Sequence, residues 1–122
     1  MKKEEKALTK NQIVEWKDQF GKIYKTTIGE QDFIWRPIRR KEYVELVKKN
    51  TKLMEEKGSD DLMAMQDEIY YQRQEDLVIS CILSPEPEEM AKLVEEQGGL
   101  ASALSDEIME KSGFVQPNTQ TL

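Results

Sequence analysis

The sequence contains few of the residues that enzymes use for chemistry. In 122 residues there is no histidine, the commonest general base and metal ligand, and one cysteine, Cys81. A single cysteine rules out a thiolate zinc site. No P-loop, G-x-G-x-x-G or G-x-S-x-G motif is present. Carboxylate-only catalysis or a carboxylate Mg²⁺ site remains open, but the sequence predicts a protein that is not an enzyme and has no cofactor.

Acidic pairs are the candidate metal ligands. They are Asp60-Asp61, Asp67-Glu68, Glu75-Asp76 and Glu88-Glu89. Adjacent residues on a helix point about 100° apart, so each pair is a poor chelate. We therefore expect solvated helix faces and no metal site. Cys81 lies in an apolar run and is expected to be a small core residue.

A basic cluster interleaved with aromatic residues is the densest concentration of candidate binding residues. It consists of Trp35, Arg36, Arg39, Arg40, Lys41 and Tyr43. Arginines beside aromatic rings can hold single-stranded nucleic acid. However, the whole chain has a net charge of −6, which opposes that interaction. Cations at a helix start also oppose the helix dipole, so we expect anionic neighbours for them, such as residues of the acidic helices.

A helix over about 10–20 is predicted ahead of this cluster. Thr9 and Gln12 fit a capping box, and a stripe of Ile13, Trp16 and Phe20 follows at helical spacing. Gly21 is the expected stop. Either this stripe packs on its own domain, which we favour, or the helix is an arm that docks on another chain.

A β-hairpin is predicted over 22–37. Two runs rich in β-branched and aromatic residues flank Gly29-Glu30, and Pro37 ends the second run. Period-2 geometry places Phe33 and Trp35 on one face and Ile34 and Arg36 on the other. A lone hairpin is marginal in water, so a helix must cover one face.

Four helices should follow the hairpin. They are expected at 39–57, at 60–83, from the Ser84–Pro87 segment to Gly98-Gly99, and at 100–112, with Gly113 after the last one. The late part of the second is apolar almost all round and should be the most buried stretch. The predicted fold class is α+β, mostly helical. We expect a charged extension at 1–8, one small domain over 9–114 and a disordered tail at 115–122.

The charge is divided between the two halves of the chain. Residues 1–57 have a net charge of +5, and residues 58–122 have a net charge of −11. Either the basic elements pack on the acidic helices, which we favour, or the opposite fields direct self-association or docking on a basic partner.

There is no apolar run of about 18 residues, so no membrane span is expected. The amino terminus does not resemble a secretory signal, and a single cysteine suits a reducing cytoplasm.

Three blocks, taken in order, resemble small proteins of tailed bacteriophages. They are Phe33 to Tyr43, Glu75 to Pro85, and Gly98 through Ile108 to Phe114. The pattern is similar to the T4-type baseplate hub assembly family and to the tail assembly chaperones of long-tailed phages. It covers about 31–114, and no block is a catalytic signature.

This resemblance implies a non-enzymatic assembly chaperone in the cytoplasm of the infected bacterium. Its partner would be a phage tail, tape-measure or baseplate hub protein, with no nucleic acid, membrane or small-molecule substrate. The candidate partner-binding residues are Phe33, Trp35, Arg36, Arg39, Arg40 and Tyr43. The aromatic pair Phe33 and Trp35 would be the anchor, or else core packed under the helix at 39–57. The alternatives are a structural component retained in the virion and an acidic inhibitor that acts by charge mimicry.

Overall fold

The computed structural model describes residues 10–57 and 62–122. Its elements are α1 (Lys10–Phe20), β1 (Tyr24–Ile28), β2 (Gln31–Trp35), α2 (Arg40–Lys57), α3 (Leu62–Cys81), β3 (Ile82–Ser84), α4 (Pro87–Glu96) and α5 (Leu100–Lys111). The predicted α+β, mostly helical class is confirmed, with its order of helix, hairpin and four helices. The predicted extension at 1–8 and Thr9 of the capping box lie outside the described residues.

The hairpin forms where the sequence predicts it. Strands β1 and β2 are antiparallel, with Ile28 opposite Gln31 next to the turn and Tyr24 opposite Trp35 at the far end. Gly29 has a φ of +63° at the first central position of the two-residue turn, a conformation that glycine adopts without strain.

The third strand corrects the predicted helix over 60–83. Helix α3 ends at Cys81, and Ile82–Ser84 forms β3, which pairs antiparallel with β2 and gives the order β1-β2-β3. The backbone N–H of Arg36 also donates to the carbonyl of Cys81, at 3.1 Å. A continuous apolar run fits a buried helix and a buried strand equally well, so periodicity alone extends the helix too far.

One core joins the sheet to helices α2, α3, α4 and α5. Its buried members are Phe33, Trp35, Ile38, Leu46, Leu77, Val78, Cys81, Ile82, Met90, Leu100, Leu104 and Ile108. The end of α3 is among its most buried parts, because Val78 and Cys81 are completely inaccessible to solvent. Ile79 is only partly buried and Ser80 is exposed, whereas Phe33, Ile34 and Trp35 are buried without interruption, so the prediction that the end of α3 is the most buried stretch holds only in part.

The final helix and the tail complete the domain. After α5, Gly113 takes a φ of +94°, and the Phe114 N–H donates back to the Met109 carbonyl at 3.0 Å. This is the glycine stop that the sequence predicts. Residues 115–122 are exposed and have no regular secondary structure. The predicted disorder of this tail and the single-domain boundary remain predictions.

Candidate partner-binding surfaces

The aromatic residues of the predicted anchor lie in the core. Phe33 and Trp35 are each 1% exposed. The Trp35 indole stacks on Tyr24, with ring centroids 4.8 Å apart, and its Nε1–H donates to Thr26 Oγ1 at 2.8 Å. The structure therefore places the pair as in the core alternative. In this fold, neither ring is presented to a partner.

Arg36 connects four elements. Its Nη1 donates to Glu42 Oε1 at 2.9 Å, and its Nη2 donates to the Ser80 carbonyl at 3.2 Å. The guanidinium also lies over the Phe20 ring, 5.1 Å from its centroid. The sheet end, α1, α2 and α3 thus meet at one side chain. Arg36 is a structural link in this fold, and its anionic neighbour comes from α2 rather than from the acidic helices.

Glu42 is held in its charged form by this arrangement. Partial burial acts to raise its pKa, but it is outweighed by the hydrogen bonds from Arg36 and the Arg39 N–H and by the positive charges of both arginines. The net result is a pKa below the ordinary value of 4.5. The bond to the Arg39 N–H, at 3.0 Å, also satisfies a backbone donor at the start of α2.

The remaining predicted residues lie at the surface around the start of α2. Arg39 and Arg40 are exposed, and neither forms an ion pair with another described residue. Tyr43 is half-buried against Phe114, with ring centroids 4.7 Å apart. Of the six predicted residues, only the two arginines offer a freely accessible polar surface.

Helix α1 carries an apolar stripe that is only partly buried, and we call its residues, Ile13, Trp16 and Phe20, the α1 stripe. None of the eleven residues of α1 is buried, and the members of the stripe remain partly exposed. Val14, on another side of the helix, is 54% exposed. Within the described residues, the apolar face of α1 is therefore incompletely packed. This matters because an amphipathic helix gains most of its stability from packing that face.

Among residues 10–57 and 62–122, no strand pairs with the outer edge of β1, and we call this edge open. Strand β1 is the outer strand on its side of the three-stranded sheet. Ile28 and Gln31 flank the two-residue turn as a hydrogen-bonded pair, and such pairs alternate along an antiparallel ladder. The backbone N–H and C=O groups of Lys25 and Thr27 therefore point away from β2. These groups can pair with an added strand.

A buried polar junction between α2 and α3 was not predicted from the sequence. Asn50 is 0% exposed, donates from Nδ2 to Asp76 Oδ2 at 3.3 Å, and accepts from Arg73 Nε at 3.2 Å. Lys49 Nζ lies 3.7 Å from the same Asp76 oxygen. A lone asparagine in a charged helical segment gives no signal of burial. The ion pair joins the basic and the acidic half of the chain.

The thiol of the single cysteine, Cys81, is buried and unreactive. Burial raises the pKa of the Cys81 thiol to about 11, with the Arg36 guanidinium opposing this rise and the Glu42 carboxylate adding to it. The thiol is therefore protonated at neutral pH. No group of three or more Cys, Asp and Glu side chains suited to a metal ion occurs in residues 10–57 and 62–122.

None of the described helices has the length and apolar character needed to cross a membrane.

Neither a protein-family model nor a curated protein matches the sequence. The fold is similar to that of an uncharacterised protein, RBSTP2171, from Bacillus stearothermophilus, with a TM-score of 0.56 and 23% sequence identity. The match covers 89% of this chain and 99% of that one. At this identity, the likeness concerns the fold alone.

Proposed function

We propose that this chain is a non-enzymatic assembly chaperone of a tailed bacteriophage. It binds a tail, tape-measure or baseplate hub protein in the cytoplasm of the host bacterium and keeps that protein competent for assembly. Support comes from the resemblance of the blocks at 33–43, 75–85 and 98–114 to such proteins.

The observation that carries the proposal is the incomplete burial of the α1 stripe. A chaperone needs an apolar surface that stays accessible in its own folded state, and α1 buries none of its residues. Trp16 lies in the centre of the stripe, and a tryptophan is a common anchor of protein interfaces. The client contributes the missing face against which this helix packs.

Two further surfaces fit a client that is itself incompletely assembled. The open edge of β1 at Lys25 and Thr27 can receive a client strand by β-augmentation. The exposed Arg39 and Arg40 attract acidic segments and accelerate encounter. Because Phe33 and Trp35 are buried, the proposed contact region consists of the α1 stripe, the β1 edge and the arginines at the start of α2.

Co-expression tests the proposal directly. Each tail, tape-measure and hub protein of the same genome is produced with and without this chain, and its soluble fraction is measured. We expect one client to be rescued, and the double substitution of Ile13 and Trp16 by alanine to abolish the rescue. Val14→Ala is the matched control, because Val14 lies on α1 but outside the stripe. If none of these proteins is rescued, the proposal fails.

Mass spectrometry separates an assembly factor from a particle component. We expect the chain to be plentiful in infected-cell lysate and missing from purified virions. A fixed stoichiometry in virions would instead identify a structural component, and the partly exposed α1 stripe would then be its contact with the rest of the tail.

A further inference from the structure

A cleft between α2, α3 and α5 has the makings of a second binding site. Helix α3 forms its floor, while α2 and α5 form its walls. The cleft has a volume of about 240 Å³. Leu77 and Met109 give it an apolar base, and Tyr43 and Tyr70 border it.

Two polar side chains lining the cleft are buried and incompletely hydrogen-bonded. Gln74 is 8% exposed and Ser105 is 6% exposed. The Gln74 Oε1 accepts from Ser102 Oγ at 3.0 Å. Among residues 10–57 and 62–122, neither the Gln74 amide nitrogen nor the Ser105 hydroxyl has a hydrogen-bond partner. Buried polar groups are nearly always paired, so two such groups in one cleft point to an occupant.

The charged groups of the cleft define what that occupant offers. The Arg73 Nε–H donates to Asn50 Oδ1 at 3.2 Å. The terminal guanidinium nitrogens of Arg73 form no ion pair with a described residue. Asp106 brings an exposed carboxylate to the same lining. One cation and one anion, with the Gln74 and Ser105 donors, suit a neutral group that both accepts and donates. A main-chain amide is such a group.

The size of the cleft selects between a small molecule and a peptide. Pockets for cofactors and drug-sized ligands usually measure about 300–1,000 Å³. At about 240 Å³, this cleft suits a large side chain and its adjoining amides. We infer that it binds a short, uncharged segment of a partner polypeptide, which places an apolar side chain on Leu77 and Met109 and its main-chain amides against Gln74, Ser105 and Asp106.

This inference has a test separate from that of the proposed function, although Tyr43 of the cleft lies at the start of α2, close in sequence to the proposed contact residues Arg39 and Arg40. None of the residues lining the cleft belongs to α1 or to β1. A failure of client rescue therefore leaves the cleft untouched, and a cleft that binds nothing leaves the chaperone proposal untouched.

The test is an NMR titration of the ¹⁵N-labelled full chain with N-acetyl-leucine-N′-methylamide. This probe combines an aliphatic side chain with two amides. We expect saturable shifts at the cleft residues. Tyr70→Ala should weaken binding about fivefold, because it removes about 40 Å² of apolar ring surface that would cover the aliphatic side chain of the probe. Tyr71→Ala is the matched control, because Tyr71 is 58% exposed, contacts the Tyr70 ring and does not line the cleft.

A second variant separates binding from folding. Ser105→Ala removes an unpaired buried hydroxyl, so it should preserve or raise the melting temperature while weakening probe binding about threefold. Absence of saturable shifts, or equal effects of the two tyrosine substitutions, would overturn the inference. Shifts at the same residues that depend on protein concentration without any probe would also overturn it, because a second copy of the chain would then fill the cleft.

Discussion

Helices α1 and α5 have almost the same length but differ in how deeply they are buried. Helix α1 has 11 residues and buries none, whereas α5 has 12 and buries five. Both carry an apolar stripe, and both are followed by a glycine with positive φ. The difference lies in what surrounds them, because α5 packs on α3 whereas α1 finds no comparable surface. Amphipathicity therefore predicts that a face needs a partner, but it does not say which molecule provides that partner.

The two tryptophans of the chain repeat this contrast. Trp35 is 1% exposed, stacked on Tyr24 and hydrogen-bonded to Thr26. Trp16 lies on the partly exposed α1 stripe. The same residue type thus serves the fold in one place and is available for binding in the other.

The largest expected effect separates these two residues. Trp35→Ala should lower the free energy of unfolding by about 3–5 kcal/mol, because it leaves a large cavity in the core. Trp16→Ala should cost less, about 1–2 kcal/mol, because Trp16 is only partly buried and keeps some contact with solvent. Urea denaturation followed by circular dichroism measures both changes.

Trp35→Phe keeps an aromatic ring and serves if Trp35→Ala does not fold. Equal losses of stability for the two alanine variants would show that α1 packs as tightly as the core. That result would remove the observation on which the chaperone proposal rests. A small loss for Trp35→Ala would instead return this residue to the list of surface anchors.

Two asparagines, Asn50 at the buried junction of α2 and α3 and Asn11 on α1, should differ by an intermediate amount in their effect on stability. Asn50→Ala should lower the free energy of unfolding by about 1–3 kcal/mol, because Asp76 and Arg73 each lose a partner at a buried junction. Asn11→Ala on exposed α1 should change it by less than about 0.5 kcal/mol. Thermal unfolding of both variants is the measurement. A negligible effect at Asn50 would mean that the ion pair of Lys49 with Asp76 holds the junction without it.

Local signals in the sequence were sufficient for most of the fold. Gly21, Gly29, Pro87 and Gly113 mark a helix end, a turn, a helix start and a helix end, and each acts through its own backbone preference. Such signals need no knowledge of distant residues. They can therefore be recognised in a single sequence.

What depends on distant pairing was not predictable in the same way. Strand β3 exists because Ile82 and Ser84 meet β2, although their own sequence continues a helical pattern. Asn50 is buried because Arg73 and Asp76 lie opposite it across two helices. Similarly, alternation placed Phe33 and Trp35 on one face but left open whether that face met solvent or core. The site residues nearest to solvent, Arg39 and Arg40, were predicted because exposure is the default for arginine.

The smallest expected effect concerns Glu42, whose partner Arg36 also lies over the Phe20 ring of α1. Its lowered pKa means that its contribution to stability is complete above the ordinary value of 4.5 and is lost as the pH falls through the lower value of the folded state. Glu42→Gln retains an acceptor for the Arg39 N–H but lacks the charge. It should therefore be less stable than the wild type at pH 7, and the difference should shrink on acidification below about pH 4.5.

We expect this effect to be smaller than that of Asn50→Ala, because the Glu42 side chain is 42% exposed and solvent screens its pair with Arg36. Glu15→Gln on exposed α1 is the matched control and should follow the wild type through the acid range. Melting temperatures at a series of pH values decide the matter. A difference between Glu42→Gln and the wild type that stays constant down to pH 3 would show that the carboxylate charge contributes nothing. The contact of Arg36 with the Phe20 ring would then be independent of the Glu42 charge.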